Sequence, residues 1–332
     1  MKEWIARVAR QREFMIFVIV VVVTVVMTFA SPHFLTTGNI LALLLGLSIE
    51  AIVVVAMTNL MVSGGFDMSV GSVLAFTSAA TATFLRMGMP IAVAVLIGLA
   101  IGATIGLING FFVAKVGLNP FVTTLSGLSI YRGLTLIITG GQNLAGLPLA
   151  FRAIGQTRFF GVQTPIIIAL LLILIGEILL RNSRFFRQVY YIGGNEKAAR
   201  LSGIRVDRMK MLSYVLTGLF AAMAGVVMTS RLGAASVTAG TGMELRVITA
   251  VIIGGASLQG GEGSVLGSFL GILLMGLILN AMNLLGVSVY WQTFVVGATL
   301  LTAVVIDQLG KLRNEGKLVI PRLRPRKATD QG

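Results

Sequence analysis

Ionisable and carboxamide side chains set inside long apolar runs are the groups of this chain that could do chemistry. Glu50 falls in the middle of one run, Glu177 near the end of another, and Asp67 in the break Ser63-Gly64-Gly65-Phe66-Asp67-Met68-Ser69-Val70-Gly71. A charged side chain at the centre of a membrane helix costs about 2.5–3.5 kcal/mol on insertion scales, so such a group must face protein or water, or hold a proton. Glu50 is open to two readings, proton coupling or a buried carboxyl bonded to neighbouring hydroxyls. Glu177 has Arg181 one helical turn away and reads as a local pair. Asn59, Asn109, Asn280, Asn283 and Gln292, with Ser69 in the break, could bond a polyhydroxyl solute along a central path or could hold helices together. Other chemistries are poorly supplied. The sequence has no cysteine and 1 histidine, which removes disulfides and thiol catalysis and makes a protein-built metal centre a poor expectation. His33, beside Pro32, reads as a surface residue.

A second constellation lies in the basic stretch 181–210, where Gly193 is followed by Gly194, Asn195, Glu196, Lys197, Ala198, Ala199, Arg200, Leu201, Ser202, Gly203 and Ile204. Asn195 is a good N-cap, Glu196 suits a first turn, Arg200 stands four residues beyond Glu196, and Gly203 supplies a stop. A helix this short is marginal in water and needs a surface to dock against; Ala198, Ala199, Leu201 and Ile204 offer a small apolar patch. It suits transmission of force from a soluble motor, or else an inert connector resting on its own bundle.

The elements that must position these residues are membrane helices. Of 332 residues, 56% are hydrophobic and 11% charged, against about 25% charged in a soluble domain. Apolar runs predict ten spans, at about 14–30, 39–61, 67–87, 91–114, 119–140, 164–180, 211–231, 243–258, 263–285 and 291–308, each about long enough for a hydrocarbon core of ~30 Å. The expected fold is therefore an all-α polytopic bundle, with a basic N-terminus 1–13, a transmembrane domain 14–308 and a basic tail 309–332. The net charge of +14 is concentrated in residues 1–13, 181–210 and the tail from Asp307, which together hold 19 of the 26 basic residues. Lys/Arg bias of this kind marks the cytoplasmic side, and ten crossings agree with both ends lying there. Nucleic acid is not needed to explain the charge. The first run follows a basic segment, but Thr28 and Ala30 make a poor cleavage pattern, so an uncleaved anchor is expected. Small-residue stripes at Gly98, Gly102, Gly106 and Gly110, and at Gly263, Gly267 and Gly271, read as helix-packing faces. The two glycine-rich breaks, 63–71 and 254–263, must be buried in protein or line water; they could mark a transport path or be short turns.

Three ordered motifs, residues 63–72, 192–204 and the run Val251-Ile252-Ile253-Gly254-Gly255-Ala256-Ser257-Leu258-Gln259-Gly260-Gly261-Glu262-Gly263-Ser264, closely resemble the ribose-type sugar permeases of ABC importers. The resemblance runs through roughly residues 14–308. It implies a bacterial inner-membrane subunit, two copies or two related chains forming the path, a separate ABC ATPase that binds ATP and magnesium, a periplasmic sugar-binding protein, and surrounding membrane lipid. It also implies that residues 194–204 are the coupling segment seated on that ATPase. One departure is Phe66-Asp67-Met68, where the family usually shows Ile-Asp-Leu; the acid is retained. No Gly-x-x-x-x-Gly-Lys-Ser/Thr run occurs, so the motor is expected to be another polypeptide and the chain to carry no cofactor of its own. The expected activity is passage of a monosaccharide or sugar-like solute by alternating access, without covalent chemistry. Rival readings are a related permease for nucleosides or branched-chain amino acids, and an ion-coupled secondary transporter using Glu50 and Asp67.

Overall fold

The computed structural model describes residues 12–314. The basic residues of 1–11 and 315–332, most of the expected inner N-terminus and tail, lie outside the described residues. The described residues form thirteen α-helices: α1 Arg12–Ala30, α2 Thr37–Val62, α3 Val70–Arg86, α4 Ile91–Phe111, α5 Pro120–Thr139, α6 Leu149–Gln156, α7 Thr164–Asn182, α8 Gln188–Gly194, α9 Glu196–Leu201, α10 Val206–Leu232, α11 Met243–Ile253, α12 Val265–Leu284 and α13 Val289–Asn314. One π-helical turn, Phe112–Val116, extends α4, and a small antiparallel hairpin pairs Arg158–Phe159 with Val162–Gln163.

Among the described residues, eight helices are long and apolar enough to cross a membrane: α1, α2, α4 with its π turn, α5, α7, α10, α12 and α13. The other two expected spans correspond to α3, of 17 residues, and α11, of 11. The glycine-rich breaks shorten them, ending the chain's helical course before a full hydrocarbon thickness is reached; residues 63–71 are buried or half-buried, whereas Gln259 and Glu262 of the second break are exposed.

The helix α2 is the axis of the molecule. Thr36 caps its start, its hydroxyl accepting from the amide of Asn39 at 3.4 Å, and every residue from Ala51 to Val62 is buried. A helix apolar all round belongs in a core, and α7, α10, α11 and α12 pack around this one. The stripe on α4 does what its spacing demands. A Cβ at Gly98 would meet Thr81 on α3, while one at Gly102, Gly106 or Gly110 would run into Gly218, Tyr214 or Met211 on α10. The second stripe seats α12 on α11, with Gly267 against Gly254 and Gly271 against Ala250. Helices gain little from the hydrophobic effect inside lipid, so this close backbone approach is a main source of their cohesion.

Replacing Gly106 by Ala should drive α4 from α10, since the new Cβ overlaps the Tyr214 carbonyl, whereas Gly133 on α5 has nothing within 4 Å of a Cβ. Overpacking of this kind costs about 1–3 kcal/mol. The expected result is a lower thermal midpoint in detergent for Gly106→Ala and none for Gly133→Ala.

Candidate functional site

The two glycine-rich breaks and the basic loop, distant in sequence, meet at one end of the bundle. The helix α2 stops at Val62 because Gly64, at φ +82°, turns the chain left-handed and Gly65 continues away. Its freed carbonyl, Val62 O, accepts a hydrogen bond from Gly261 N at 2.8 Å. Gly193, near the end of α8, sits so close that a Cβ there would collide with Val62 O and Gly261 N. Gly260, at φ +89°, lies against the backbones of Gly64 and Gly193, and Gly261 against that of Gly194. Tyr190 closes the junction from α8, its hydroxyl donating to Gly263 O at 2.8 Å. Three segments thus touch through main chain, with no side chain between them to absorb a displacement.

From this junction the chain enters α9. Asn195 Oδ1 accepts from Ala198 N at 3.0 Å as the N-cap, and Gly203 adopts φ +83° just beyond the last turn. Ala199 faces inward and Ile204 joins the core, while Leu201 points out, 91% exposed. The expected apolar patch is therefore split: half of it holds the helix down and the other half is presented outward. Charges brace the opposite side. Lys210 Nζ lies 2.6 Å from Glu196 Oε2, Arg200 bridges Glu196 and Asp207 at 3.1 and 2.5 Å, and Lys115 reaches Asp207 at 3.5 Å. The hydrogen bond from Lys210, seconded by Arg200, holds the Glu196 carboxyl below its ordinary value of 4.5. A groove of about 470 Å³ runs beside the helix, lined by Tyr190, Tyr191, Asn195, Ala198 and Ser202.

The remaining candidates fall into separate places. Asp67, Ser69 and Asn109 form one buried network: Ser69 donates through N and Oγ to Asp67 Oδ1 at 2.7 and 2.6 Å, and Asn109 Nδ2 reaches Asp67 Oδ2 at 3.2 Å. Tyr131 donates to Asn109 at 3.1 Å, and Thr124 accepts from Met68 N at 3.0 Å, so the first break is tied to α4 and α5. Asn59 is also buried and donates to Ser213 on α10 at 2.9 Å. Glu50 lies elsewhere, paired with Arg246 Nε at 2.6 Å, on the same cleft as Asn280. Asn280 exchanges two hydrogen bonds with Asn39, and Gln292 donates to Asn283 at 2.6 Å. Glu177 keeps its expected pair with Arg181 and also accepts from Leu266 N at 2.9 Å, satisfying a free amide in the first turn of α12.

Glu50 therefore bonds a guanidinium, where its sequence context suggested hydroxyls or a proton. Arg246 was not singled out from the sequence, nor were Arg132, which donates to Val237 O and Ala239 O at 2.8 and 2.9 Å, and Arg231, which donates to Leu45 O at 2.9 Å. The available signal was simple: each is a cation inside or at the end of an apolar run, as conspicuous by cost as the acids.

Because the carboxyl of Glu196 is depressed in the folded chain, its contribution is present above the ordinary glutamate value and is lost as pH falls through the lowered one. Amide exchange across residues 196–203, corrected for intrinsic rates, should therefore hold its protection from pH 7 to about pH 5. Glu196→Gln should speed that exchange about 1.5- to 5-fold at pH 7, the range of a partly exposed ion pair worth ~0.2–1 kcal/mol.

Residues 39–304 match the family described as branched-chain amino acid transport system / permease component. The ribose import permease protein RbsC of Bacillus subtilis (strain 168) is 41% identical over 295 residues, covering 88% of this chain and 90% of that protein. The L-arabinose transport system permease protein AraH of Escherichia coli (strain K12) is 38% identical over 277 residues, 83% and 84% of the two chains. The D-allose transport system permease protein AlsC of the same strain is 34% identical over 294 residues, 88% and 90%. No solved structure matches the chain. Apolar helices joined through the glycine junction, and this degree of likeness over most of its length, make the chain a member of the branched-chain amino acid transport system / permease component family, an all-α multi-pass protein of the inner membrane.

Proposed function

We propose that this chain is the permease subunit of an ATP-driven importer that admits a monosaccharide delivered by a periplasmic sugar-binding protein. The observation that carries this reading is the main-chain junction of Gly193, Val62 and Gly261, which ties an outward-presented, capped helix to both breaks of the bundle. In this reading residues 194–203 dock in a separate ABC ATPase, with Leu201 as the exposed anchor and the neighbouring groove receiving the partner's surface. ATP and magnesium belong to that partner in this reading, since the sequence holds no Gly-x-x-x-x-Gly-Lys-Ser/Thr run. Both chain ends and the loop 181–210 face the cytoplasm, in keeping with the charge distribution. A second copy or a homologous permease completes the path.

Force applied at α9 reaches the bundle in a definite order. Pushing α8 moves Gly193 and Gly194, which cannot shift without displacing Val62, Gly64, Gly260 and Gly261. Through Asp67, Ser69 and Asn109 the first break then carries α4 and α5, and Asn59 with Ser213 carries α10. Of the path candidates, Glu50 and Asn280 border an open cleft and Gln292 is bonded to Asn283 on its wall, whereas Asn59, Asp67, Ser69 and Asn109 move the walls. The names of the relatives, a ribose import permease and L-arabinose and D-allose transport system permeases, favour a neutral sugar over the amino acid in the family's description.

Two substitutions separate docking from transmission. Leu201→Asp should abolish co-purification of the ATPase and lower ATP-dependent uptake in vesicles more than 10-fold; intact association and uptake would sink the docking assignment. Gly193→Val should leave the ATPase bound and hydrolysing while uptake falls by a similar factor, because the junction and not the dock is disturbed. Uptake by the unmodified complex that persists without ATP and collapses with an uncoupler would instead mark a secondary transporter.

A further inference from the structure

A cleft of about 330 Å³ opens between α2, α11 and α12. Its floor is the Glu50–Arg246 pair, and Asn280 and Asn283 stand on its wall. Glu50 lies 13 residues into α2 from Thr37, so at ~1.5 Å per residue the pair sits about 20 Å from that end, near the middle of a bilayer. Both partners remain reachable, with 15% of the Glu50 and 28% of the Arg246 side chain exposed. A charged pair at this depth is expensive to leave against hydrocarbon, so the cleft must hold water or a polar solute. Its size falls at the lower end of small-molecule sites, about 300–1,000 Å³. Gly46 widens it, since a Cβ there would meet nothing within 4 Å.

The chemistry of the lining selects the occupant. Arg246 offers donors and Glu50 acceptors side by side, with no net charge between them, and the carboxamides offer both. A diol on adjacent carbons has the same double character, each hydroxyl donating and accepting. A wholly aliphatic solute would leave these groups unpaired, and a solute of one net charge would be repelled by one member of the pair; a zwitterion could answer both charges, which is why leucine is the competitor in the test. Resting on the importer reading above, we propose that this cleft is a solute site of the permease itself, where Arg246 donates to and Glu50 accepts from neighbouring hydroxyls of a neutral monosaccharide. Between passages the two charges satisfy each other, and a solute that must part them binds weakly, as passage requires.

The test uses the full importer, with ATPase and binding protein, in proteoliposomes, with uptake normalised to assembled complex. Ribose, arabinose and allose are the probes, and leucine is the competitor. Glu50→Gln and Arg246→Gln should each lower sugar uptake at least 10-fold. The exchange Glu50→Arg with Arg246→Glu keeps an ion pair but reverses donor and acceptor relative to Asn280, and should not restore it. Recovery in the exchanged protein to near the unmodified rate overturns the proposal, because the pair would then be only a clamp between helices. Leucine uptake that depends on both residues overturns it in favour of a zwitterion site. Should the charge variants fail to assemble, Gly46→Leu narrows the cleft while leaving both charges in place; its uptake should fall at least 10-fold, and an unchanged rate defeats the proposal. An unmodified complex that moves none of the sugars would count against the importer reading itself, a separate outcome from any change among variants.

Discussion

The hydrogen bond from Gly261 N to Val62 O, at 2.8 Å, joins the two places where this bundle departs from helix. Inside or near hydrocarbon a released carbonyl finds no water, and leaving it unsatisfied costs several kcal/mol. The end of α2 therefore has to be completed by protein, and the second break supplies the donor. Gly193 packs where these two strands of main chain meet because only a residue without a Cβ fits. The rest of the architecture follows from that constraint. The central helix ends where it can be capped by another break, α8 must run across that cap, and α9 emerges from it on the basic side of the molecule.

Stiffness is the functional consequence. Side-chain packing yields by rotamer changes, but main chain against main chain yields only by moving whole segments. In the proposed reading, a force on α9 would be converted into displacement of both breaks together. The buried Asp67–Ser69–Asn109 network extends this to α4 and α5, and the glycine faces of α4 and α10 leave those helices free of interlocking side chains over much of their contact. The proposed alternating access calls for two discrete arrangements rather than gradual deformation, and contacts of this stiffness are suited to it.

Polar groups within the apolar zone divide by environment. Asp67, Asn59 and Asn109 are enclosed and bonded to neighbours, so their energetic role is to tie non-helical main chain to helices. Glu50 and Arg246 compensate each other's charge but remain partly open to a cleft. Glu177 is consumed by Arg181 and by the first turn of α12. Residues of one chemical class thus serve as fasteners or, in the proposal made for Glu50 and Arg246, as a surface for solute, according to whether their unused lone pairs and protons face protein or space.

Much of this was legible in the sequence because it rests on local patterns. Long apolar runs compel helices, the Asn195 cap and Gly203 stop delimit α9, and the spacing of Gly98, Gly102, Gly106 and Gly110 announces a packing face. Three ordered motifs were enough to recognise the family. Contacts between distant segments were not legible. Nothing local says that Gly193 meets Val62 and Gly261, that Glu50 is answered by Arg246 some 196 positions away, or that α3 and α11 stop short of a full span. The physical reason is that helix formation and capping are decided within a few residues by hydrogen bonding along the chain. Which glycines touch, and which charge finds which partner, is decided only when the helices close on one another and water is excluded between them.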